Sequence, residues 1–177
     1  MAKPKPVNWQ LIEDQELYTF VGELIEKFHG SDKDIGGVGL NFVLMWRHNV
    51  KMDQDGYVVL ADVTKSSDQN RELRPHDVII GVNKDAWSVM DARQRTVVID
   101  SQLERIAVCL DKDGNPKEDD RGRTLFRLRR VETIDDHTFA RRHAHTMREV
   151  QEFIHDQFAK AGAEEGSYVA EQLEDDE

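Results

Sequence analysis

The sequence has one cysteine, four prolines and no long apolar run, and each shortage removes a class of protein. A single Cys109 leaves no internal disulfide and no cysteine-only metal site, and reads as a small core residue. No stretch approaches the roughly 20 apolar residues of a membrane-spanning helix. The opening MAKPKPVNW lacks the apolar segment of a signal peptide, and residues 1–8 read as a flexible lead-in. There is no internal repeat. Lys and Arg are missing from Glu164 to Glu177, where seven acids stand, so the other 163 residues carry only −4 of the −11 net charge. A protein imitating DNA spreads its acids over a folded surface in rows spaced like phosphates. Here the excess falls in a stretch, 161–177, whose composition predicts a disordered acidic tail.

What remains is 177 residues with 38% hydrophobic and 33% charged side chains, enough for one domain, 9–160, with tails. From Asp14 to His29, the spacing of Leu17, Phe20, Val21, Leu24, Ile25 and Phe28 predicts an amphipathic helix stopped by Gly30. Val38 to Val50 and Tyr57 to Thr64 are rich in β-formers around an Asp-Gly turn, which predicts a hairpin. His76 to Val82 reads as a third strand, and Asp91 as the N-cap of the next helix. That helix, Arg95 to Leu110, stacks Ile99, Leu103, Ile106 and Leu110 on one side. Val97, Val98, Val108 and Cys109 lie on the other, so it should be sandwiched inside the domain. Arg123 to Arg130 alternates like a strand, with Phe126 and Leu128 opposite the arginines. A second long helix is expected from Asp135 to about Lys160.

The run from DVIIGVNKDAW through RQRTVVIDSQLERI to DKDGNPKEDDRGR resembles the Putative phage metallopeptidase family of small zincin-like proteins. The resemblance implies an α+β fold: a minimal zincin-like domain with a small twisted β-sheet, a central helix and flanking helices. It also implies that this helix holds the family's H-E-x-x-H, two zinc ligands one turn apart with a glutamate as general base. The motif falls on Ser101, Gln102, Leu103, Glu104 and Arg105. A hydroxyl is a poor zinc ligand, an amide cannot take the proton of water, and a guanidinium repels a cation. The third ligand of the family is placed at Val131, with a slip towards His137 as the other placement. The resemblance therefore carries a fold and, at Ser101, Gln102 and Arg105, withdraws the activity, so no catalytic residue, metal or cofactor is expected.

The loop from Asp111 begins like a calcium loop, but its glycine comes at the fourth position and Gly122 stands where a bidentate glutamate is needed. His137, His143 and His145 are the candidates for a relocated zinc site, yet none are four apart on a helix, and a helix-surface role fits them as well. Arg105 either snorkels at a helix edge or fills the former metal space and pairs with Glu132 or Asp135. The arginines of 123–130, with Arg141, Arg142 and Arg148, could face nucleic acid. No aromatic is interleaved on that side, and Glu118, Asp119, Asp120, Asp135 and Asp136 could balance them.

The expected function is that of a phage-encoded, catalytically inactive metallopeptidase-like protein in the host cytoplasm. It would act by binding, as an inhibitor, on a host protein of defence or DNA metabolism. The alternatives are a metallohydrolase with zinc on the three histidines, and an acidic DNA-mimic inhibitor. No membrane partner is expected.

Overall fold

The structure is a computed structural model that describes residues 8–52, 57–130, 141–143 and 147–174, with side-chain surroundings defined as far as Ala161. The protein is a small α+β domain. A four-stranded sheet has the order β1 (Asn8–Leu11), β2 (Phe42–His48), β4 (Val78–Asn83), β3 (Ala61–Lys65). β1 runs antiparallel to β2, β2 parallel to β4, and β3 antiparallel to β4. The two β-rich segments predicted as a hairpin are therefore not paired with each other, because β4 lies between them. The reason is burial: Val78, Ile80 and Val82 are fully buried, and a strand covered this completely takes the centre of a sheet.

Helix α1 (Gln15–His29) starts where the Asp14 carboxylate accepts the N–H of Glu16, and ends at Gly30. Its buried stripe of Leu17, Val21, Leu24 and Ile25 packs on the sheet with Leu44, Ile80 and Val82. Two short helices, α2 (Asp68–Leu73) and α3 (Lys84–Val89), flank β4.

The central helix, α4 (Ala92–Leu103), begins in a capping box: Asp91 accepts from the N–H of Gln94, and Gln94 accepts from the N–H of Asp91. Its two apolar sides serve two cores, as its pattern predicts. Ile99 and Leu103 pack towards α1 and the sheet, while Val97 and Val98 pack with Val58, Leu60, Met90, Val150 and Ile154. The helix is shorter than its periodicity predicts. It stops at Leu103, and Ile106, Ala107 and Val108 form strand β5 (Ile106–Val108), paired antiparallel with β6 (Phe126–Leu128). The β-branched Ile106 and Val108 fit a pleated, buried strand, and pairing with β6 overrides the helical spacing.

β6 buries Phe126 and exposes Arg127, as its alternation predicts. Between β5 and β6, the acids that begin like a calcium loop serve the turns instead. Asp111 Oδ1 accepts the N–H groups of Asp113 and Asn115, and Asp119 Oδ1 accepts those of Arg121 and Arg123. The left-handed turn positions fall to Gly114 (φ 78°) and Gly122 (φ 73°).

The last helix, α5 (Met147–Glu174), seats Val150 and Ile154 in the second core. It runs on through most of the segment whose composition predicts disorder. That segment is rich in Ala and Glu, both strong helix formers, and its glycines stand singly.

Candidate functional site

The sequence singles out Ser101, Gln102 and Arg105, and the structure ties the three together. Ser101 and Gln102 are buried on the last turn of α4, and Arg105 is half-buried just beyond it. Ser101 Oγ donates to the carbonyl of Val98 at 2.7 Å, which is ordinary back-bonding for a helical serine. Gln102 Nε2 donates to Ser101 Oγ at 3.1 Å, and Arg105 Nη1 donates to Gln102 Oε1 at 3.1 Å. The polar atoms of these three side chains are thus largely spent on one another. Arg105 takes an amide, where a carboxylate from Glu132 or Asp135 was expected; those two residues lie outside the described residues, as do Val131, His137 and His145. Its Nε is buried without a partner among the described residues.

One helical position earlier, the chain builds a cluster that the sequence reading passed over. Asp100 is completely buried. Its Oδ1 accepts from His29 Nε2 at 2.8 Å, and its Oδ2 stands 2.7 Å from His143 Nε2 and 3.3 Å from Arg142 Nη1. Arg142 also bonds Glu104, one turn beyond Asp100, while Arg129 reaches Glu104 at 3.8 Å. His29 completes the arrangement by facing Asp34 through Nδ1 at 3.5 Å. Phe28 roofs the cluster: the Arg142 guanidinium lies 5.2 Å from its ring centre, and the His143 ring meets it edge-on at 5.4 Å.

Electrostatics follows from this packing. Burial alone would lower the pKa of His29. The hydrogen bonds to Asp100 and Asp34, with the charges of Asp100 and Glu104, outweigh burial and raise it to about 9. Burial likewise pushes Asp100 up, but bonds from His29 and His143 and the charges of His29 and Arg142 win and hold it below the usual carboxylate range. Asp100 is therefore a carboxylate at neutral pH and faces the protonated His29 and the Arg142 guanidinium, which also bonds Glu104.

His29, Asp100 and Glu104 bring one ligand atom each within 4.8 Å of one another, close enough to hold a metal ion. The charge is already balanced there, because Arg142 lies across both carboxylates and His29 carries its proton. An ion would have to displace both. Among the described residues, the guanidinium that sits between two carboxylates is that of Arg142. His143, taken from sequence as a possible zinc ligand or helix-surface residue, is buried against Asp100.

The family model described as Putative phage metallopeptidase matches residues 9–157. The chain belongs to that family. No curated protein and no solved structure matches it. On the register that the sequence resemblance implies, Ser101 and Arg105 would stand at the two helical zinc positions and Gln102 at that of the general base. The set does not fit zinc, since it offers one hydroxyl, one amide and a cation. The signal that could have revealed the neighbouring cluster was Asp100 itself, a carboxylate between Ile99 and the buried end of the helix, four residues before a second acid.

Proposed function

We propose that this member of the phage metallopeptidase family is a phage-encoded protein that has kept the domain and given up peptide hydrolysis, and that it works by binding a host protein. The observation that supports this most is the hydrogen-bonded series Arg105, Gln102, Ser101, Val98, which occupies the register of the zinc motif with groups that neither bind the ion nor accept the proton of water. The adjacent Asp100 cluster favours the same reading, because its charges are matched by side chains.

A function by binding is reached from the side chains available. On this reading the protein acts in the host cytoplasm, on a target of defence or DNA metabolism. Among the described residues no helix is long and apolar enough to cross a membrane. The test pairs two measurements on the full chain. Peptidase activity towards an unfolded protein substrate should be absent with added zinc, and a host protein should be retained from lysate at fixed stoichiometry and bind again when purified. Zinc-dependent cleavage abolished by a substitution at His137, His143 or His145 would favour the hydrolase reading instead. Retention that a nucleic-acid competitor removes would favour the DNA mimic.

A further inference from the structure

The loop after α1 and the β5–β6 ribbon enclose a cleft of about 660 Å³. Its walls are basic, with Lys33 from the loop, Lys117 from the turn region of the ribbon, and Arg127 and Arg129 from β6 and its end. Asp34 is the one acid that lines it, and that carboxylate is engaged by His29 and by the N–H of Ile35. Arg129 is partly committed to Glu104 at 3.8 Å. Lys33, Lys117 and Arg127 are exposed and make no ion pair among the described residues. The floor is apolar, formed by Ala107, Val108 and the exposed Leu110.

Lys33, Lys117 and Arg127, gathered in one cleft, repel one another, and an anion that seats among them relieves that repulsion while gaining charge-assisted hydrogen bonds. The size falls in the range of small-molecule sites. A long polyanion fits less well. The acids next in sequence to the lining residues, Asp32, Asp111 and Glu118, are exposed, and the chain as a whole carries −11. No aromatic side chain lines the cleft to stack successive bases.

We propose that this cleft binds a compact polyphosphate ester, in class a nucleoside di- or triphosphate. Lys33, Lys117 and Arg127 take the phosphate oxygens, and the organic part lies on Val108 and Leu110. None of the three motif positions lines the cleft, so the site goes beyond the binding reading above and does not depend on it.

The experiment is calorimetric titration of the full-length protein with ATP and ADP, in parallel with a single-stranded oligonucleotide series of increasing length. One saturable site for ATP is expected, weakening as salt is raised. Lys117→Glu and Arg127→Glu should each weaken it by about tenfold, the loss of one charge-assisted bond to phosphate. Arg148→Glu, far along the chain on α5 and paired with Glu152, should leave it unchanged. All three target and control side chains are exposed, and equal melting temperatures would show that the variants fold. Absence of saturable ATP binding would overturn the proposal, as would binding indifferent to the two reversals. Oligonucleotide affinity that exceeds that of ATP and grows with length would also overturn it, in favour of a nucleic-acid surface. None of these failures touches the peptidase or host-protein measurements.

Discussion

His29 Nε2 donates to Asp100 Oδ1 at 2.8 Å, joining the end of α1 to the middle of the domain across 71 residues of chain, with both side chains out of water. This bond makes stability depend on pH. The folded pKa of His29 is raised from 6.5 to about 9, so its contribution is complete below pH 6.5 and is lost as pH rises through about 9. Asp100 has a lowered pKa, so its contribution is present above about pH 4 and is lost as pH falls through the folded value. Melting temperature should therefore be highest between about pH 4 and 6.5 and decline towards pH 9, by a free energy on the order of 3 kcal/mol. His29→Gln should flatten the alkaline decline. A wild-type melting temperature constant over that alkaline range would contradict this account.

Removing one partner of the cluster should cost far more than removing an exposed charge. Asp100→Asn leaves the His29 and Arg142 charges without their buried counter-charge, and a loss of about 3–5 kcal/mol is expected in denaturant unfolding. A loss under about 1 kcal/mol would show that water or another group compensates.

Arg105 should matter less. It makes a hydrogen bond to Gln102 and no ion pair among the described residues, and its Nε is buried without a partner. Arg105→Met should change stability by no more than about 1 kcal/mol in either direction, since one amide bond and one desolvated nitrogen disappear together. A loss above about 3 kcal/mol would reveal a carboxylate partner.

What the sequence conveyed and what it hid divide along physical lines. Local patterns were legible: the Asp91 cap, the stripe of α1, the two-sided burial of α4 and the alternation at Phe126 and Arg127. Each is set by neighbours within a turn or two. The end of α4 was not legible, because Ile106 and Val108 suit both a helix stripe and a strand, and only pairing with β6 decides. Strand order was hidden for the same reason, since the parallel contact of β2 with β4 is non-local. The resemblance drew attention to Ser101, Gln102 and Arg105, which lie within five residues and hydrogen-bond in series. The Asp100 cluster was not legible, because His29, Arg142 and His143 come to it from far along the chain.

The end of α5 offers a further check. Its described core anchors, Val150 and Ile154, stand in its first turns, while seven acids fill 164–177. Truncation after Ala161 should leave the melting temperature within a few degrees of the full chain. A large drop would mean that the acidic end docks on the domain.

The central claim is that the family's zinc chemistry has been removed from this chain, and metal content tests it most directly. The protein should be expressed with zinc available, purified without chelator, and its zinc measured by elemental analysis. Much less than one zinc per chain is expected, and chelator should not change the melting temperature. The triple variant Ser101→His, Gln102→Glu, Arg105→His should gain zinc affinity, since it puts two imidazoles about one turn apart at the end of α4. One tightly held zinc per chain in the unaltered protein, lost when His29 or Asp100 is replaced, would contradict the account. It would mean that the Asp100 cluster is a metal centre in which Arg142 gives way.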